Sequence, residues 1–230
     1  TITGEKKLTI GNELDAPTVD ASENTGGVDI NVAGDGAQGG EQDVTGSQGD
    51  DTIRVDTGTL DQDDTSIDAG EGKDTLALKN AGTLTFDTVT TVQQFNGVSN
   101  FEVLSFGEAG ATTLTVADAF LDVFSGNTID VVAPKTPAGG ATLTLDASGI
   151  VTSSATINVD ASTITNASTF DFIINNGTSS FVGSDNDDTV TVTTGAFIDG
   201  DDSLDGGDGD NTLEFETDTD TVIQASQLSG

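Results

Sequence analysis

The residues able to do chemistry in this chain are almost all carboxylates, and they gather in glycine-rich clusters. Residues 46–51 read GSQGDD, 68–74 read DAGEGKD, 183–188 read GSDNDD and 200–211 read GDDSLDGGDGDN. Forty Asp and Glu stand against six Lys and Arg in 230 residues, a formal charge of −34. Only nine of the acids are Glu, and the bias toward Asp favours turns and ligand positions over helix. The chain has no Cys, His, Met, Trp or Tyr. Thiol or imidazole nucleophiles, zinc sites on sulfur or nitrogen, haem, iron–sulfur clusters and disulfides are all excluded. Hard cations on oxygen ligands remain as the metal chemistry open to it. Nucleic acid is an implausible partner, because six cations among forty anions supply no phosphate-binding stripe.

The elements that must position these acids are strands. Leu, Ile, Val and Phe make up about a quarter of the chain, above the roughly one-fifth below which a highly charged sequence stays unfolded. Short alternating bursts occur at 8–10, 28–32, 76–78, 83–86, 114–116, 141–145, 156–159, 170–174 and 190–192, separated by Gly, Asp, Asn and Ser. That pattern predicts an all-β fold. Helix-like spacing is confined to 117–124 (ADAFLDVF), with a short turn expected over 92–98. No run of apolar residues is long enough to cross a membrane as a helix, and no initiator Met or signal peptide is present. The sequence therefore reads as a processed chain or a segment of a longer protein.

An internal repeat organises the acids. Residues 46–78 align without a gap onto 183–215, with 15 identities in 33 positions. Asp50, Asp64 and Asp68 recur as Asp187, Asp201 and Asp205. A related Asp-Ala-Ser motif occurs at 20–22, 146–148 and 160–162, read as an outward Asp between core-facing residues. Within each copy the apolar residues Ile67 and Leu76, or Leu204 and Leu213, lie nine apart, and the copy's opening unit ends at Ile53 or at Val190. The interval from Ile53 to Leu76 equals that from Val190 to Leu213, and it reads as one coil built of two nonapeptides and a bulge.

This pattern resembles the glycine- and aspartate-rich nonapeptide GGxGxDxUx of the repeats-in-toxin (RTX) family of secreted bacterial proteins. The resemblance implies a right-handed parallel β-solenoid, like a β-roll, in which six-residue turns bind Ca2+ between stacked coils. Carried over position by position, the sixth-position ligand is Asp51, Asp74, Asp188 and Asp202, with Asn211 in the turn that otherwise matches best. Gly49, Gly70, Gly72, Gly207 and Gly209 match glycine positions, and Asp50, Asp64, Asp68, Asp185, Asp187, Asp201 and Asp205 supply further carboxylates around the turns. The match is imperfect: Ser47 and Ser184 replace the second glycine, Asn186 the fourth-position glycine, and Thr65 stands where the unit ending at Ile67 should carry its acid. One or two good calcium sites per copy are expected.

These readings divide the chain into a first solenoid repeat (1–80), a connecting β segment with a short helix (81–140) and a second solenoid repeat (141–230). The expected function is structural: a calcium-binding extracellular protein of a bacterial surface layer or polymeric sheath, folded and assembled by calcium. The alternative is a spacer or binding module of a secreted RTX adhesin. Self-association into a lattice or filament is the expected partnership, with a cell-surface polysaccharide as a further candidate and no nucleic acid. Enzymatic activity is not expected, since sugar platforms are usually aromatic and Phe is the only aromatic present.

Overall fold

A computed structural model of the chain describes residues 1–14, 16–32, 42–56, 65–79, 81–86, 95–107, 110–193, 201–216 and 228–229. Numbered in chain order, its strands form three principal sheets. The largest has ten strands: β2 (Leu8–Leu14), β5 (Val28–Val32), β7 (Thr52–Val55), β9 (Thr75–Leu78), β12 (Val103–Ser105), β14 (Thr128–Val132), β16 (Thr156–Asp160), β18 (Thr178–Val182), β20 (Ser203–Asp205) and β22 (Leu228–Ser229). Four strands form the second: β3 (Thr18–Asp20), β6 (Gln42–Ser47), β8 (Thr65–Gly70) and β11 (Val98–Ser99). Six form the third: β10 (Gly82–Phe86), β13 (Thr112–Ala117), β15 (Thr142–Gly149), β17 (Thr169–Ile173), β19 (Thr189–Thr193) and β21 (Thr212–Glu216). A two-stranded ribbon pairs β1 (Thr3–Gly4) with β4 (Glu23–Asn24).

Pairing is parallel between successive strands of each sheet, so the fold is all-β with parallel sheets. The chain leaves a strand of the ten-stranded sheet, enters the four- or six-stranded sheet, and returns one strand further along. Early coils use the four-stranded sheet and later ones the six-stranded sheet; between β9 and β12 the chain visits both.

Register explains why short bursts suffice. Ile30, Ile53, Leu76, Leu104, Val131, Val159, Phe181 and Leu204 stand opposite one another on successive strands of the ten-stranded sheet, all buried. Leu84, Leu114, Leu145, Phe172, Val190 and Leu213 form the same column in the six-stranded sheet. Alternate residues of a strand point to opposite faces, so each burst adds one or two apolar side chains to one continuous core. Where the four- and six-stranded sheets meet, the core is filled by rings: Phe86, Phe95, Phe120 and Phe124 contact one another at centroid distances of 4.7–5.4 Å. Phe120 is delivered by a 3-10 turn, Asp118–Val123, which replaces the short helix expected from the sequence; three buried residues in six leave only one contact face, and the following Ser125–Asn127 turn changes direction at Gly126. Of the turn expected over 92–98, residues 92–94 lie outside the described residues, and a turn follows Phe95.

Candidate functional site

The acid-rich turns stack on one another at a spacing of one coil. Ser47 faces Gly70 across a strand pair, which places turn 46–51 on turn 69–74. The contact is close enough to specify glycine. A Cβ at Gly46 would stand 1.8 Å from the Ala69 carbonyl oxygen, and one at Gly183 would stand 2.1 Å from that of Gly206.

In the first block the sixth-position acids turn inward along the stack. Asp51 is buried. Its Oδ1 accepts the Val28 amide at 2.7 Å and the Ser47 hydroxyl at 2.6 Å, while Oδ2 accepts the Ser47 amide at 2.5 Å. Its own amide donates to Asp74 Oδ1 at 2.7 Å, in the next coil, and the Asp74 amide donates to Glu102 Oε2 at 2.8 Å. Four successive coils are thus joined by a carboxylate ladder, each of the three acids capping an amide at the entry to a strand in the preceding coil. Asp50 adds an outer rung, accepting the Lys73 amide at 3.0 Å.

Asp74 differs from Asp51 in one respect. Gly70 occupies the position of Ser47, with φ of +99°, and a Cβ there would stand 2.3 Å from the Ser47 carbonyl oxygen. No hydroxyl is therefore available, and Asp74 Oδ2 is buried without a hydrogen-bond partner. Burial pushes its pKa up to about 7, against the lowering effect of the Asp51 amide, and the charges of Asp51, Glu102 and Asp50 push in the same direction as burial.

The second block repeats the arrangement with a different ending. Asp188 Oδ1 accepts the Phe170 amide at 2.6 Å, Oδ2 accepts the Ser184 amide at 2.5 Å, and the Ser184 hydroxyl lies 2.9 Å from Oδ2. The Asp188 amide donates to Asn211 Oδ1 at 2.9 Å, and the Asp210 amide to Asp187 Oδ1 at 2.8 Å. Asn211 is the counterpart of Asp74. Its amide nitrogen reaches the Asp208 carbonyl at 3.0 Å, so the group that is orphaned in the first block is partnered in the second.

The two blocks lie on opposite edges of the ten-stranded sheet. Turns 46–51 and 69–74 precede β7 and β9, whereas turns 183–188 and 206–211 follow β18 and β20. Because the strands are parallel, the first pair sits where strands enter the sheet and the second where they leave it.

The other sequence-selected residues serve these turns, except Asp202, which precedes β20 on the side where strands enter the ten-stranded sheet. Asp202 is buried and accepts the Ser179 amide at 2.6 Å. Asp68 accepts the Gly70 amide at 3.1 Å and the Asn100 side chain at 2.8 Å, and Asp205 accepts the Gly207 amide at 3.1 Å. Asp185 and Asp201 are exposed. Gly49 and Gly209 lie against neighbouring turns, and Gly72, Gly207 and Gly209 take positive φ. Asp64 and Gly200 lie outside the described residues. The Asp-Ala-Ser motifs form one recurring turn: Ser22, Ser148 and Ser162 each donate amide and hydroxyl to Oδ1 of the Asp that opens the motif, and the intervening alanines are buried.

Sequence reasoning did not single out Ser47 and Ser184 as carboxylate donors, nor Glu102 as the ladder's next acceptor. The usable signal was the Ser-x-x-x-Asp spacing shared by both blocks. Comparison with protein-family models, with curated proteins and with solved structures gives no match, so the functional argument rests on the geometry of these turns.

Proposed function

We propose that the chain is a right-handed parallel β-solenoid whose first-block turns hold Ca2+, and that it serves as a structural segment of an extracellular surface layer or sheath. The solenoid reading is supported by parallel pairing of successive strands whose equivalent residues lie 22 to 28 apart in the chain and by the right-handedness general to parallel crossovers. The observation that carries the calcium reading is the buried, unpartnered Oδ2 of Asp74 beside Asp50, Asp51 and Glu102. A carboxylate oxygen left unpaired in a dry site is costly, and a hard cation or a proton would relieve it.

The residues fit a cation unequally. Asp51 and Asp188 already spend both oxygens on amide and hydroxyl donors, whereas Asp74 has one free and Glu102 accepts only through Oε2 among the bonds described. Asp74, Asp50 and Glu102 are the side chains that would hold the ion. No cluster of three acids forms a ready-made shell among the described residues, so backbone carbonyls of the stacked turns would complete the six to eight oxygens calcium prefers. The ion would supply charge neutralisation for a chain of −34 and would make binding energy part of folding energy.

Circular dichroism and thermal unfolding with millimolar calcium or chelator test this reading. Calcium should raise the Tm of the natural chain and lose most of that effect in Asp74→Asn. An equal response in both would overturn the assignment. Electron microscopy of the calcium-loaded protein separates the two settings: sheets or filaments support a surface layer, whereas a dispersed monomer favours the adhesin spacer.

A further inference from the structure

Two of the six cations of the chain share one recess. Arg54 and Lys79 line one cleft of about 510 Å³ on the outer side of the ten-stranded sheet, together with the hydroxyl-bearing Thr52, Thr75 and Ser105 and the overhanging Pro134. Lys7 reaches into the same neighbourhood, its ammonium 3.5 Å from Thr52 Oγ1, and Lys135 follows Pro134 in the chain. Among the described lining residues there is no carboxylate. In a protein with forty acids and six bases, this cleft brings two cations together on a wall whose own residues carry no carboxylate.

Much of that positive charge is balanced: Arg54 pairs with Asp29 and Lys79 with Glu13. Pairing does not exhaust the donors. A guanidinium has five N–H groups and an ammonium three, while each partner offers one carboxylate. The pairs hold the two cations in place with spare donors, and Arg54 and Lys79 keep side-chain exposures of 37% and 28%. Volume also selects the occupant. A cleft within the usual range for small ligands of about 300 to 1,000 Å³ suits one or two sugar rings, not a folded partner.

We propose that this cleft binds a carboxylated saccharide unit, a uronic acid within an acidic polysaccharide, with Arg54 and Lys79 on the carboxylate and Thr52, Thr75 and Ser105 on ring hydroxyls. The ligand's negative charge meets the spare donors by charge-assisted hydrogen bonds, and the hydroxyl-bearing wall matches the polyol. This site does not depend on the calcium reading, since it lies on the face of the sheet and uses no acid of the turns.

Isothermal titration of the full chain in saturating calcium tests the site with three probes: a glucuronate-containing oligosaccharide, a neutral glucose oligosaccharide of equal length, and a peptide spanning residues 205–211. The acidic saccharide should bind and the other two should not. Arg54→Gln and Lys79→Gln should each weaken binding about tenfold or more, the scale of one charge-assisted hydrogen bond. Lys73→Gln, whose cation sits on Asp130 at 2.7 Å outside the cleft lining, should leave it unchanged. Circular dichroism checks that each variant is folded, and Lys79→Gln stands alone if Arg54→Gln is not. Equal binding of the neutral sugar, binding of the peptide in place of the sugar, or full binding by a folded Lys79→Gln chain would each overturn the proposal. Unchanged affinity in that variant would point to calcium bridging at the turns instead.

Discussion

The two copies of the acidic block share a ladder and differ at its second rung. In the first copy the rung is Asp74, with an oxygen that nothing in the protein satisfies. In the second it is Asn211, whose amide nitrogen has a carbonyl to bond. Exposure differs in parallel, since Asp74 is buried and Asn211 exposed. One atom exchanged at equivalent positions therefore separates a turn closed by protein groups alone from a turn that asks for something more. The acids of the shared rungs, Asp51 and Asp188, hold the coils together whether or not a cation binds. The −34 charge is thus a mixture of hydrogen-bond acceptors built into the coil and carboxylates facing water.

The largest expected effect tests what the copies share. Gly46→Ala and Gly183→Ala each drive a methyl into a carbonyl of the next turn and should each cost on the order of 3 kcal/mol or more by denaturant unfolding. A mild effect at one edge alone would show that the stacks are not equivalent. Next comes the rung that differs. Asp74→Asn should stabilise the calcium-free protein at pH 8 by about 2 kcal/mol, the scale of an unsatisfied buried polar group, because the new amide can use the counterpart of the Asn211 bond. Asn211→Asp, at an exposed position, should change stability by less than about 1 kcal/mol.

The same pair carries a pH signature. In the folded state Asp74 keeps its proton up to about pH 7, whereas in the unfolded chain it releases it near pH 4. The native state therefore binds more protons between those values, and this group's contribution makes stability fall as pH rises from about 4 to about 7, then level off. Asp74→Asn should remove that component, so the gap between variant and natural chain should widen across this window in calcium-free unfolding curves. A constant gap would place the burden elsewhere. A smaller effect is expected from Ser47→Ala and Ser184→Ala, which remove one hydroxyl donor each and should cost about 1 to 2 kcal/mol. The smallest is Ser162→Ala in the exposed Asp-Ala-Ser turn, at about 0.5 kcal/mol or less by thermal unfolding.

Much of the all-β architecture was legible because a strand buried on one side advertises itself by alternation. Residues 28–32 were bounded to the residue, and the apolar positions Ile53, Ile67, Leu76, Val190 and Leu204 fall in the core. Strands with weak alternation escaped notice. Thr178–Val182 carries a single large core residue, Phe181, among hydroxyls, and Thr128–Val132 holds adjacent valines of which only one points inward. The helix-like spacing at 117–124 was misleading for a physical reason: a corner that must bury Phe120, Leu121 and Val123 together produces the same spacing in one 3-10 turn as a longer helix would. The turns themselves were legible from their glycines and acids. What spacing along the chain could not convey was direction. Whether a carboxylate points to solvent, to a cation or to the amide of the coil before it depends on a neighbour one coil away and on whether a serine or a glycine opens the turn.

The placement of the two blocks on opposite edges of the ten-stranded sheet also says how such a chain could lengthen. The step from Asp51 to its repeat counterpart Asp188 carries the block from the entry edge to the exit edge, an odd number of half-coils. One more step of the same kind would return it to the entry edge. An array grown by duplicating this unit would display its acidic stacks alternately left and right, so that copy number, not sequence change, would set whether a given flank of the array carries a stack or bare sheet.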